Sequence, residues 1–238
     1  MTVVEHLTEL RYRLMVSIGA VVVGAIVAYA FYRPILDFLS HPINQASEVG
    51  DVKITGLFVS GVTGPFILRM KVSAFGGLIL ALPILLYQFW RFITPGLEPK
   101  ERRYAIPFVL SSLILFGAGV WFAFLILPTG VRFLLSFVEP GLQEPLITFQ
   151  EYLSFITLMI AAFGLTFEFP LVLVFLAMVG IVDSRRLRRW RRQAILLVFL
   201  TAAVATPSQD PLSMMMMAAP LYLLFETSIL VIRFVLKK

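Results

Sequence analysis

The chain has 238 residues, 59% of them hydrophobic and 14% charged, with a formal net charge of +6. A soluble domain of this size must cover itself with polar groups, so a mean hydropathy of +0.91 excludes one and points to a polytopic helical membrane protein. Cysteine is absent and histidine occurs twice, as His6 and His41 on opposite sides of the first apolar run, which excludes disulfides and thiolate sites and argues against a histidine metal centre.

Residues 1–13 are polar, and Thr2 followed by Glu5 fits a capping box, so a helix can begin here. Glu5, Glu9 and Arg13 share one face, and Glu9 before Arg13 is the favourable order for a helical ion pair. The first span is expected over about 14–32; no small-residue cleavage pattern follows it, so it should remain as an anchor. A long connection over 33–65 carries Pro34 and Pro42, with 34–39 able to form a short interfacial helix. The second span is expected over 66–90, with Arg69 and Lys71 near its start, a kink at Pro83 and a close helix approach at Gly76-Gly77.

Pro95-Gly96 then marks a turn, and Pro99 suits a first helical position, placing Glu101 in the first turn of a third span over 105–127. A second polar connection covers 128–150. The fourth span, over about 152–179, contains Glu168, with Pro170 two residues later. Residues 183–192 read as a strongly basic loop, of the kind that sets topology and meets lipid headgroups. The fifth apolar run, 194–205, covers only about 18 Å against a hydrocarbon core of roughly 30 Å. A tight turn over 206–211 holds Asp210, and the sixth run, 212–232, holds Pro220 and a second intramembrane acid, Glu226.

Six spans place both ends on one side. That side then collects Arg11, Arg13, Arg91, Lys100, Arg102, Arg103, the arginines of 185–192, Arg233, Lys237 and Lys238. The other holds Arg33, Lys53 and Arg132, with Arg69 and Lys71 near its boundary. The positive-inside rule puts both termini in the cytoplasm. The basic balance is thus read as topology, with no nucleic-acid partner expected.

Glu168 is the residue that composition explains least, because an acid at the centre of a spanning helix costs about 3 kcal/mol on insertion scales. Two readings stay open: interhelical hydrogen bonding near the Thr166 carbonyl that Pro170 leaves without its donor, or a polar patch in a cavity. Glu9 can pair with Arg13 and Glu101 can favour a helix N-terminus, yet both lie on the cytoplasmic rim and could accept guanidinium groups in bidentate fashion. Asp210 can cap the sixth helix or serve a function. No metalloprotease motif, phosphate loop or serine–histidine pair occurs, so neither an enzyme nor a cofactor is expected. A proton-coupled small-solute transporter, with Glu168 and Glu226 as relays, is the alternative reading.

Several stretches together resemble the TatC family, the polytopic core subunit of the twin-arginine protein translocase. They are the segments 6–14 (His-Leu-Thr-Glu-Leu-Arg-Tyr-Arg-Leu) and 87–93 (Tyr-Gln-Phe-Trp-Arg-Phe-Ile) with Pro95-Gly96-Leu97, then 100–103 (Lys-Glu-Arg-Arg) and Phe163-Gly164 with 167–170 (Phe-Glu-Phe-Pro). Thr206-Pro207 with Asp210, and the segment 220–226, complete the set, which covers essentially the whole chain as one domain, 1–238. The resemblance implies an all-α integral membrane protein: a concave, cupped bundle of six transmembrane helices, the fifth and sixth short. It implies a receptor in the cytoplasmic membrane for twin-arginine signal peptides of folded cargo, driven by the proton-motive force. Implied partners are TatA/TatB-type single-span proteins, docked on the side of the fifth and sixth spans, membrane lipids, and further copies within the translocase. By the same resemblance Glu9 and Glu101 receive the arginine pair, with Arg11, Phe92, Pro95, Leu97 and Arg103 around them. Glu168 becomes a polar site on the concave face, and the region of Pro42 belongs to the outer cap. The outer turn departs from the family's usual Pro-Pro-Asp, and Met214–Met217 stand where relatives carry a polar residue, which puts partner contacts at that turn in doubt.

Overall fold

The computed structural model describes residues 3–47, 57–93, 105–138, 146–205, 211–234 and 236. Among these the chain forms α1 (Val3–Ala30), α2 (Tyr32–Ser47), α3 (Gly64–Ile93), α4 (Ala105–Leu135), α5 (Phe149–Phe167), α6 (Phe169–Met178), α7 (Ser184–Arg189), α8 (Arg191–Ala205) and α9 (Pro211–Phe234). Helix is the expected outcome for such runs, since hydrocarbon offers no partner for an open backbone N–H or C=O. Among the described residues, five stretches are long and apolar enough to cross a bilayer: Val4–Ala30, Gly64–Phe92, Ile106–Leu135, Phe149–Met178 and Met214–Phe234. The chain is therefore a multi-pass membrane protein. Met15, Ile18, Val22 and Ile26 of α1 lie exposed, which is the lipid-facing side of a spanning helix. α8 has 15 residues, about 22 Å of helix, and falls short of that length.

Three expected boundaries are corrected. α2 is a 16-residue helix that runs through Pro42 rather than a short segment followed by loop. α4 continues through Pro128 to Leu135. Residues 184–189 form α7, capped by the Asp183 carboxylate, which accepts from the Arg186 N–H. Prolines inside membrane helices are tolerated where neighbours re-satisfy the freed carbonyls, so the rule that stops an aqueous helix overstated its case here.

The chain divides into two compact units. The first comprises Met1–Ser40, Phe58–Leu113 and Thr148–Leu153. Its centre is the contact of α1 with α3, where backbones nearly touch. A Cβ on Gly77 would lie 2.3 Å from the Ala25 nitrogen, and one on Gly24 would lie 2.6 Å from the Gly77 carbonyl oxygen. The close approach expected at Gly76-Gly77 is thus present, and fully buried Ala28 and Val72 pack beside it. Thr148 and Glu151 form a reciprocal capping box at the start of α5: the Glu151 N–H donates to Thr148 Oγ1 at 3.2 Å and the Thr148 N–H to Glu151 Oε2 at 3.3 Å. Phe58 bridges to Thr148, and the buried Tyr152 hydroxyl donates to the Leu39 carbonyl at 2.8 Å.

The second unit comprises His41–Leu57, Ile114–Ile147 and Ser154–Lys238. Here α4 meets α5 through a second pair of small residues. A Cβ on Gly119 would lie 2.6 Å from the Phe163 carbonyl oxygen, and one on Gly164 would lie 2.5 Å from the Phe116 ring. The Phe122 ring packs against Phe163 and Phe167. A separate apolar cluster joins Leu173 and Ala177 of α6, Leu187 of α7, Ala194 of α8, and Phe225 and Ile229 of α9. Arg132 Nη2 donates to the Gln45 carbonyl at 2.9 Å, while Pro42 and Ile43 are buried.

Candidate functional site

Glu9 and Arg13 sit one turn apart on α1, and the expected ion pair is formed. Arg13 uses its whole fork. Nε donates to Glu9 Oε1 at 3.0 Å, Nη2 contacts the same oxygen, and Nη1 reaches across to Gln88 Oε1 on α3 at 3.2 Å. A planar guanidinium can serve two acceptors in this way where an ammonium presents a point charge. Glu9 Oε1 is therefore occupied. Glu9 Oε2 is buried with no hydrogen-bond partner among the described residues. A buried acceptor left open costs about 1–3 kcal/mol, so the carboxylate is predisposed to take a further donor.

Aromatic rings stand at the same end of the α1–α3 pair. His6 stacks on Phe92 with centroids 4.4 Å apart, and Trp90, 6% exposed, packs on Phe108 at 4.5 Å. Arg11 is exposed. Of the expected rim residues, Glu9 and Phe92 thus lie at one end of one unit, while Pro95, Leu97, Glu101 and Arg103 fall outside the described residues. Gln88 and His6 were not anticipated as partners. Gln88 is 75 positions from Arg13, so no helical spacing could have joined them.

Glu168 occupies the single turn between α5 and α6, with φ −72° and ψ −16°. Its backbone keeps the chain nearly helical: its N–H donates to the Leu165 carbonyl at 3.2 Å, and its own carbonyl accepts from Leu171 and Val172. The interruption follows from Pro170, which has no N–H for the Thr166 carbonyl one turn earlier. Thr166 in turn bonds through its hydroxyl to the Ala162 carbonyl. Glu168 Oε1 is buried, and the side chain as a whole is half-buried.

Glu226 is held more tightly than an isolated intramembrane acid would be. Arg191 Nη2 lies 2.8 Å from its Oε2, and the Tyr222 hydroxyl donates to Oε1 at 3.0 Å. The pair ties the start of α8 to α9, an arrangement that suits a structural acid. Pro42 is buried within α2, and Asp210 lies outside the described residues. Among the described residues no cluster of His, Cys, Asp or Glu could hold a metal ion.

A sequence profile of the TatC family, described as Sec-independent protein translocase protein, matches residues 5–220. The chain is 38% identical to the Sec-independent protein translocase protein TatC of Carboxydothermus hydrogenoformans, covering all of this chain (100%) and 95% of that one. It is 39% identical to the protein of the same name from Frankia casuarinae, over 97% of this chain but only 65% of the relative's length. Two crystal structures of the twin arginine translocase receptor TatC are also similar. One has a TM-score of 0.78 at 37% identity, covering 95% of this chain and 97% of the other. The second, in the detergent DDM, has a TM-score of 0.81 at 36% identity, covering 95% and 99%.

Proposed function

The chain belongs to the TatC family of Sec-independent protein translocase proteins, and from that membership we propose that it is the signal-peptide receptor of a twin-arginine translocase. The observation that carries this reading is the carboxylate of Glu9. One oxygen is fixed by Arg13, and the other is buried and open among the described residues. A guanidinium from a consecutive-arginine motif supplies the missing charge-assisted donors, and its planar fork fits where lysine would not. Glu101 is the second acceptor in this proposal, with Arg11, Phe92, Pro95, Leu97 and Arg103 shaping the surroundings. The His6–Phe92 stack offers an aromatic face to the segment flanking the arginines.

In the same reading the apolar part of the signal peptide enters the bilayer, and Glu168 gives a polar foothold to a peptide or partner helix already there. TatA/TatB-type proteins are recruited on the side of the fifth and sixth spans, and the proton-motive force drives transport. The chain acts as one domain in the cytoplasmic membrane, with six spans and both termini cytoplasmic, α8 being the short fifth span. The alternative of a small-solute transporter with Glu226 as a proton relay is disfavoured, because Glu226 is engaged by Arg191 and Tyr222.

The test is binding of a labelled signal peptide to the full chain in detergent. A peptide with two arginines is expected to bind at least about tenfold more tightly than its two-lysine counterpart, a difference of roughly 1.4 kcal/mol. The double variant Glu9→Ala with Glu101→Ala should abolish crosslinking while circular dichroism and elution volume stay unchanged. Equal binding of both peptides, or undiminished crosslinking in a folded double variant, would overturn the assignment.

A further inference from the structure

A groove of about 530 Å³ lies wholly within the second unit, between α5–α6 and α8. Leu165, Val172 and Leu176 form one wall, and Leu197 and Thr201 belong to the other. Buried Leu221 and Phe225 of α9 close its inner side. Thr166, Gln193, Thr201 and the indole of Trp190 bring polar groups to it, and the rest of its lining is apolar. Its length can be read from the helices. From Leu165 to Leu176, and likewise from Trp190 to Thr201, eleven steps of 1.5 Å give about 16 Å. That is half of a hydrocarbon core of roughly 30 Å, the depth of one leaflet.

The two ends of the groove differ. One end reaches Leu187 and Trp190 and therefore the arginines of 185–192. Trp190 is 47% exposed, and the Arg186 guanidinium stands 5.5 Å from its ring centroid. Arg191 is committed to Glu226. Arg185, Arg188, Arg189 and Arg192 are exposed and make no ion pair among the described residues. Tryptophan is the side chain that settles at the headgroup level, with its ring against hydrocarbon. The groove is thus apolar along one leaflet's depth, bounded by an interfacial aromatic, and topped by uncompensated positive charge.

We infer that this groove is a binding site for one anionic glycerophospholipid, with an acyl chain between α5–α6 and α8 and the phosphate against Arg186 and Arg189. The chain fills apolar volume that protein side chains leave open. The phosphate takes bidentate guanidinium hydrogen bonds, which an ester or amide headgroup of no net charge would not draw as strongly. The site also compensates for the shortness of α8, because a held lipid follows the protein surface where a free one would have to thin the leaflet. The inference does not rest on the arginine-pair reading of Glu9, a residue of the other unit.

The experiment uses the full chain in mild detergent, titrated with palmitoyl-oleoyl phosphatidylglycerol or phosphatidylcholine and read by native mass spectrometry. Wild type should retain one phosphatidylglycerol at concentrations about tenfold lower than phosphatidylcholine. The variant Arg186→Gln with Arg189→Gln, two exposed changes, should erase that preference, and Leu197→Trp should lower occupancy by both lipids. Glycerol phosphate alone should compete weakly, since it lacks the chain. In bilayers, a photoreactive residue at Leu197 should yield a lipid adduct. Equal retention of both lipids by wild type, or a phosphatidylglycerol preference that survives the arginine changes, would overturn the proposal. So would a Leu197 crosslink to a partner's spanning helix or to a second copy in place of lipid.

Discussion

Two glycines with the same chemistry have opposite roles in this chain. Gly77 lies where α1 and α3 backbones nearly touch, with the Ala25 nitrogen 2.3 Å from where its Cβ would be. Gly19, on the same α1, has nothing within 4 Å of that position. Side-chain packing cannot relax around Gly77, because what it meets is backbone. Gly77→Ala should therefore separate the helices, and a loss of more than about 2 kcal/mol is expected from overpacking a site with no give. Gly19→Ala should be neutral or gain up to about 1 kcal/mol from helix propensity. Thermal unfolding of the two variants in the same detergent separates them. Similar midpoints for both would show that the α1–α3 approach does not limit stability. The Arg13–Gln88 hydrogen bond joins the same two helices, whereas the Glu9–Arg13 pair lies within α1 alone.

At the scale of the elements, α6 ends by a specific device. Gly180 has φ +84°, its N–H donates to the Ala177 carbonyl at 3.1 Å, and the Ile181 N–H donates to Leu176 at 2.9 Å. These two bonds make a Schellman end, which places Val182 and Leu187 in the cluster with α9. Gly180→Ala forces a Cβ into the left-handed region and should cost about 1–2 kcal/mol. The expected signature is faster amide exchange at Ile181 and Val182 with α5 unaffected; unchanged exchange at both would mean the turn is held by its packing alone. The spanning runs were legible because long apolar stretches have one solution in a bilayer. Their ends were less so. The connections expected over 33–65 and 128–150 contain Pro42 and Pro128, yet both prolines lie inside helices. Residues 183–192 read as a loop because their charge masks the N-capping Asp183 and the buried Leu187. In the site, Glu9 with Arg13 was legible from four-residue spacing. Gln88, the His6–Phe92 stack and the Arg191–Glu226 pair were not, because each joins helices distant in sequence.

For the whole molecule the decisive quantity is whether α8 crosses. Five candidate spans alone would leave the two termini on opposite sides. Arg233, Lys237 and Lys238 would then lie away from Arg11 and Arg13, against the positive-inside rule. The opposing cost is that α8 is about 8 Å shorter than a 30 Å core, a mismatch of fractions of a kcal/mol per ångström. That total, a few kcal/mol, is comparable with holding even one or two cationic side chains in the wrong environment. Crossing is the expected winner, with local thinning beside α8. The chain has no cysteine, so single-cysteine variants report without background. In intact cells an impermeant maleimide should label Val62→Cys, which is fully exposed in the connection before α3, and Asp210→Cys beyond α8. Arg188→Cys and Lys238→Cys should react only once the membrane is opened. If Asp210→Cys and Arg188→Cys behave alike, α8 does not span, and the six-helix topology falls with it.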